Sequence, residues 1–135
     1  MTASTRLLAF IGAILLSVVT QAGEPMQANI VILATGGTIA GAAATGTQAG
    51  YSSGQVGVAA LIEAVPQLAE LASIRGEQIA NVGSQDMNDE IWLQLAQRTN
   101  ALLSQDDVDG VVITHGTDTI EETAYFLNLV IDSNK

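Results

Sequence analysis

The chain has 135 residues, the length of one domain, and no internal repeat. Its 14 acidic residues against 4 basic ones give a formal net charge of -10, which excludes nucleic acid and anionic membrane surfaces as partners because both would be repelled. With no cysteine, disulfides, thiolate catalysis and cysteine zinc sites are excluded, and 48% hydrophobic against 13% charged residues is the balance of a folding chain.

At the N-terminus Arg6 precedes an apolar run from Leu7 to Val19, broken only by Gly12 and Ser17 and followed by the small residues Thr20 and Ala22. This is the pattern of an export signal, with cleavage after Ala22. Residues 1–22 therefore read as a signal peptide and 23–135 as the domain, which predicts a periplasmic or secreted protein. The run is short for a bilayer span. Gly23, Glu24 and Pro25 break the chain before the first strand, which argues against a buried N-terminal helix.

Asn29–Ala34 is a continuous apolar, β-branched run that predicts a strand buried on both faces of a parallel sheet. It runs into Thr35-Gly36-Gly37-Thr38, and the glycine-rich stretch on to Gly57 predicts a long, mobile loop with Tyr51 as a candidate binding residue. Val58, Leu61, Ile62, Val65, Leu68 and Leu71 have helical spacing, which Pro66 divides into two short helices. A second strand is read at Gln78–Val82, ending in Gly83-Ser84-Gln85-Asp86. Asn88 or Asp89 opens a helix whose apolar stripe is Ile91, Trp92, Leu95, Ala96, Thr99, Leu102 and Leu103. After the turn Gln105–Gly110, Val111–Thr114 is a third strand that ends in His115-Gly116-Thr117-Asp118. Thr119 and Glu122 have capping-box spacing for a last helix over 120–132. The order βαβαβα predicts an α/β fold: three layers around a predominantly parallel sheet, with flavodoxin- or Rossmann-like strand order.

In such a sheet the three strand ends share one edge, where helix N-termini and free backbone N–H groups gather, so the chain should build one polar pocket there. Gly36 and Gly41 have the outer spacing of a phosphate loop, but Ala42 and Ala43 replace its Lys and Ser or Thr, and Thr38 fills the middle glycine of a dinucleotide fingerprint. His115 is the only histidine and no carboxylates cluster around it at ligand spacing, so neither metal nor cofactor is indicated. Hydroxyl chemistry remains: Thr38 and Thr117 beside glycines, with Ser84, Tyr51, Gln85 and Asp118 in support. A threonine nucleophile needs a base for its proton and N–H donors for the oxyanion, and Gly36, Gly37 and Gly116 allow close backbone approach to a small substrate.

The segments Ile-Leu-Ala-Thr35-Gly-Gly-Thr38-Ile-Ala-Gly and Ile-Thr-His-Gly-Thr117-Asp118-Thr resemble the two signatures of bacterial L-asparaginases. Tyr51-Ser-Ser-Gly-Gln-Val-Gly-Val and Gly83-Ser-Gln-Asp-Met-Asn-Asp are similar to the exported, type II members, including glutaminase-asparaginases. The resemblance implies hydrolysis of L-asparagine, with some action on L-glutamine, through an acyl-enzyme on threonine and without a cofactor. By position it makes Thr38 the nucleophile, Tyr51 its lid residue, Thr117 and Asp118 the second threonine and its acidic partner, and Ser84 and Gln85 the substrate clamps. The physics agrees: Ser84 can donate to an α-carboxylate and Asp118 can accept from an α-ammonium.

Plainer roles stand beside these. Thr35 and Thr114 suit strand ends on packing grounds, Asp118 could cap the last helix, and His115 reads as a structural hydrogen-bond partner rather than a general base. Trp92, Met87 and Phe126 read as core, and Asp106, Asp107 and Asp109 as a solvated turn. Family members continue past the last helix with further strands, a catalytic lysine and a smaller second domain, and in their homotetramer a neighbouring subunit supplies a glutamate. The only lysine here is Lys135. Residues 23–135 are thus expected to be an incomplete N-terminal portion of an asparaginase domain, with an open apolar edge and little activity alone. The competing expectation is a periplasmic amino-acid-binding module that keeps Ser84, Gln85 and Asp118 without chemistry.

Overall fold

In a computed structural model, the described residues are 27–40, 42–43, 51–52 and 56–135, without the side chains of Thr38, Ala42, Ala43, Tyr51 and Ser52. The predicted leader, residues 1–22, lies outside them. In chain order the strands are β1 (Asn29–Gly36), β2 (Ala42–Ala43), β3 (Tyr51–Ser52), β4 (Ser73–Val82) and β5 (Gly110–Thr114). The helices are α1 (Val58–Glu63), α2 (Leu68–Leu71), α3 (Asp89–Leu103) and α4 (Ile120–Val130), and Thr38–Ala40 and Ser84–Asp86 are single 3-10 turns.

The main sheet has the order β4-β1-β5, all parallel, which is the second-first-third order of flavodoxin-like folds. β1 is central because its Ile-Val-Ile-Leu-Ala run can be covered on both faces; Val31 and Leu33–Gly36 are buried. Two adjacent β4 residues show that helices cover opposite faces. A Cβ on Gly76 would meet Val58 and Ile62 of α1, whereas Glu77 pairs with Arg98 of α3, and neighbouring strand residues point to opposite sides. The core on the α3 side is Val31, Leu33, Leu95, Leu102 and Val108, with Ile79, Val111, Ile113 and Leu127 against it. Each such side chain contributes roughly 1.5–3 kcal/mol through burial.

α3 begins where the sequence places it: the Asn88 side chain accepts from the Ile91 N–H at 3.1 Å, and Asp89 and Glu90 sit in the first turn where the helix dipole favours acids. Arg98 forms a two-bond fork to Glu77, at 2.6 and 2.7 Å. That hydrogen-bonded pairing holds the Glu77 pKa below the ordinary carboxylate value and raises that of Arg98.

The structure departs from the sequence reading at several points. β4 starts at Ser73, not Gln78: among the described residues it borders β1 alone, Gly76 makes room for α1, and Glu77 is neutralised by Arg98. The stretch expected to be loop holds a 3-10 turn and an antiparallel ladder pairing Ala42 with Ser52 and Ala43 with Tyr51. α4 ends at Val130, where the Asn100 side chain donates to the Val130 carbonyl and accepts from the Asp132 N–H. Thr119 is the N-cap of α4 without a side-chain capping bond, so the predicted capping box does not form.

β5 has a strand on one side only among the described residues. Val112 on it is 50% exposed, and α4 exposes Tyr125 and Leu129. A hollow of about 560 Å³ lies near the amino-terminal end of β4, lined by residues such as Ile62, Val65 and Ile74. It is remote from the strand ends that carry the polar side chains.

Candidate active site

The carboxyl ends of β1, β4 and β5 close on one another through glycine. Gly36 and Gly37 have φ of 106° and 77°, the left-handed region that suits glycine, and they turn the chain out of β1. The Gly37 N–H donates to the Val82 carbonyl at 2.8 Å, joining the ends of β1 and β4. A Cβ on Gly37 would overlap the Gly116 backbone, and one on Gly116 would overlap Ser84. Three separate segments therefore share a rim at the crevice where strand order reverses, the place where open α/β sheets bind ligands.

Ser84 is the knot of this rim. It is buried, and its hydroxyl both donates to the Asp118 carboxylate at 3.0 Å and accepts from the Asp118 N–H at 3.1 Å. The Thr119 hydroxyl donates to the Ser84 carbonyl at 2.8 Å. The turn after β5 is thus tied to the end of β4 by three bonds through one residue. Asp118 and Thr117 remain exposed, so the charge and the second threonine hydroxyl face solvent at the rim.

Of the residues singled out from sequence, Gly37, Ser84, Gly116, Thr117 and Asp118 come together. Thr38 follows directly on Gly37, which puts its backbone beside the Gly37–Gly116 contact, and its side chain lies outside the described part, as does that of Tyr51 in β3. Gln85 is not turned to the rim: its amide folds back over Gly83 and donates to Asp86 at 3.2 Å. Thr35 donates to the Thr114 carbonyl at 3.0 Å, the structural role expected of it. His115 engages both ring nitrogens, Nδ1 with the Gly116 carbonyl at 2.7 Å and Nε2 with the Thr123 hydroxyl at 3.0 Å, so neither is free to take a proton from a nucleophile. Among the described residues no three His, Cys, Asp or Glu side chains gather as a metal ligand set.

The asparaginase N-terminal family model matches residues 29–135. The chain belongs to the asparaginase family. It is 60% identical to L-asparaginase 2 of Bacillus subtilis over 79% of this chain and 29% of that protein. It is 55% identical to the glutaminase-asparaginase of Pseudomonas fluorescens biotype A over 80% of this chain and 30% of that protein. The fold is similar to the crystal structure of "Probable Cytoplasmic L-asparaginase from Campylobacter jejuni", with a TM-score of 0.70 and 54% identity over 75% of this chain and 31% of that one. The chain spans about three tenths of the length of the relatives it matches.

In this asparaginase-family chain the described cations are committed elsewhere. Arg98 holds Glu77, Arg75 reaches Gln105, and the Lys135 ammonium donates to the Gln105 and Val108 carbonyls before β5 begins. Thr117 follows the opposite end of β5, so Lys135 is not placed to take its proton. Three contributors were missed in the sequence. Thr119 was read as a cap, and its tether to Ser84 has no local signature because the partner is 35 residues away. Trp92 was read as core and Thr123 was not singled out; the clue was that an indole N–H and a helix-face hydroxyl both need partners when buried.

Proposed function

We propose that this chain forms the N-terminal part of an asparaginase-type amidohydrolase that converts L-asparagine and water to L-aspartate and ammonia, with L-glutamine as a secondary substrate. The Thr38 hydroxyl adds to the side-chain amide carbon, the C–N bond breaks, and ammonia leaves with the threonine proton. Water then cleaves the threonine ester, releasing aspartate and restoring the hydroxyl. Tyr51 covers the nucleophile, Thr117 assists it, and Ser84 and Asp118 hold the amino-acid end; Gln85 would join them only by leaving Asp86.

The observation that carries this reading is the Ser84–Asp118 pair beside the Gly37–Gly116 contact. The pair supplies one hydroxyl donor and one carboxylate, the complement of an α-carboxylate next to an α-ammonium. When Asp118 accepts the ammonium, the Ser84 proton is free to turn to the carboxylate. Glycine at 37 and 116 lets the ends of β1 and β5 approach closely, which gathers the groups that would hold one small substrate. Residues 1–22 serve as an export leader for a periplasmic or secreted protein, and the working assembly of the whole protein is a homotetramer.

A chimera tests the chemistry: residues 29–135 replace the matching segment of the Bacillus subtilis relative. Ammonia release from L-asparagine is expected, and Thr38→Ala should lower it by a factor of about 10⁴ or more. A Thr38→Ala chimera as fast as its parent contradicts the assignment. The 135-residue chain alone should bind L-asparagine and release ammonia only at background.

A further inference from the structure

Trp92, Thr123, His115 and Gly116 are linked by three hydrogen bonds whose directions are fixed at both ends. The Trp92 indole N–H can only donate, and it donates to Thr123 Oγ1 at 2.8 Å. The Gly116 carbonyl can only accept, so the 2.7 Å contact puts the proton on His115 Nδ1. The remaining 3.0 Å contact, between Thr123 Oγ1 and His115 Nε2, then runs from the hydroxyl to an unprotonated ring nitrogen. Every donor has one acceptor and every acceptor one donor. Thr123 is 3% exposed, so its hydroxyl has little water to turn to, and Trp92 is itself packed against Phe126 with ring centroids 6.0 Å apart.

We infer that His115 is a positioning residue, held by Trp92 and Thr123 as the neutral Nδ1–H tautomer so that it pins the Gly116 carbonyl and sets the turn carrying Thr117 and Asp118. The peptide plane couples the two sides: fixing the Gly116 C=O toward His115 aims the Thr117 N–H the opposite way. Glycine at 116 is required because a Cβ there would overlap Ser84, but glycine leaves the plane the widest freedom to rotate, so an external hold is needed. His115 supplies that hold, anchored by Trp92 of α3 and Thr123 of α4. The consequence for substrate rests on the asparaginase reading above; the tautomer does not.

The ring can be read directly, because His115 is the only histidine of the chain. Long-range proton–nitrogen correlation spectra of the 135-residue chain at about pH 8 should show a protonated Nδ1 and a bare Nε2. Thr123→Val should mix the tautomers and weaken calorimetric binding of L-asparagine about tenfold, while Thr123→Ser restores both. His115→Asn, which keeps an N–H near the Nδ1 position, should bind better than His115→Gln. An Nε2–H ring in the unaltered chain overturns the inference whether or not any variant folds, and so does a Thr123→Val ring that stays wholly Nδ1–H. Mixed tautomers in Thr123→Val with unchanged L-asparagine affinity overturn the positioning role. If the unaltered chain binds no L-asparagine, the substrate reading fails, and the ring tautomer and its response to Thr123→Val decide the inference alone.

Discussion

The Ser84 hydroxyl is bracketed by Asp118, giving its proton to the carboxylate at 3.0 Å and taking one from the backbone N–H of the same residue at 3.1 Å. One side chain at the end of β4 thereby fixes both the position and the orientation of a carboxylate that follows β5. Removing it has two separable effects. Ser84→Ala should lower stability by about 1–3 kcal/mol through loss of a charge-assisted bond and a buried N–H partner, and should abolish calorimetrically detected L-asparagine binding. Asp118→Asn should keep most of the stability and still lose binding, because the amide retains an acceptor for Ser84 and has no charge for the ammonium.

Glycines of this chain separate sharply by surroundings. Gly37→Ala combines a left-handed φ with overlap on the Gly116 backbone, which cannot move aside as a flexible side chain would. A loss of about 2–4 kcal/mol is expected in denaturant unfolding. Gly57→Ala meets only the Gln78 amide oxygen at 3.9 Å, an ordinary contact, and should stay within about 0.5 kcal/mol of the unaltered chain. Equal losses at the two positions would contradict the close approach of β1 to β5.

Thr119 distinguishes a cap from a tether. If its hydroxyl serves Ser84, Thr119→Val should cost about 1 kcal/mol and weaken L-asparagine binding, whereas Glu122→Ala should change neither beyond about 0.5 kcal/mol. A working capping box would instead make both substitutions destabilise α4, seen as lost helical circular dichroism.

The Glu77–Arg98 fork predicts the sign of a pH effect. Arg98 holds the folded-state Glu77 pKa below the ordinary carboxylate value, so the pair's contribution is complete above that value and fades as pH falls through the lower folded one. With the Arg98 side chain 39% exposed, the contribution is only about 0.2–1 kcal/mol. Urea midpoints of Glu77→Gln should lie below those of the unaltered chain at pH 7 and converge with them toward about pH 2. A gap that widens in acid would contradict the pairing.

Much of the scaffold could be read from local pattern. β1 is an uninterrupted apolar run, α3 has both a periodic stripe and an Asn88 cap, and Pro66 divides α1 from α2 as expected. The first half of β4 could not, because Arg75, Gly76 and Glu77 are poor strand formers whose reasons lie elsewhere in the chain: Val58 and Ile62 need the space over Gly76, and Arg98 neutralises Glu77. At the site, the glycine–hydroxyl strand ends announced Gly37, Ser84, Gly116 and Asp118. The folded-back Gln85 and the bonds of Thr119 and Thr123 depend on partners from one to 35 residues away and on which of several acceptors wins, which spacing does not encode.

The central claim is that three separated segments make one amino-acid site. Titrating the isotopically labelled 135-residue chain with L-asparagine and following its backbone amides tests this most directly. Saturable shifts should gather at Gly37, Ser84 and Gly116–Asp118, three regions far apart in sequence. Shifts confined to the hollow around Ile62, Val65 and Ile74, or to one of the three segments alone, would contradict it.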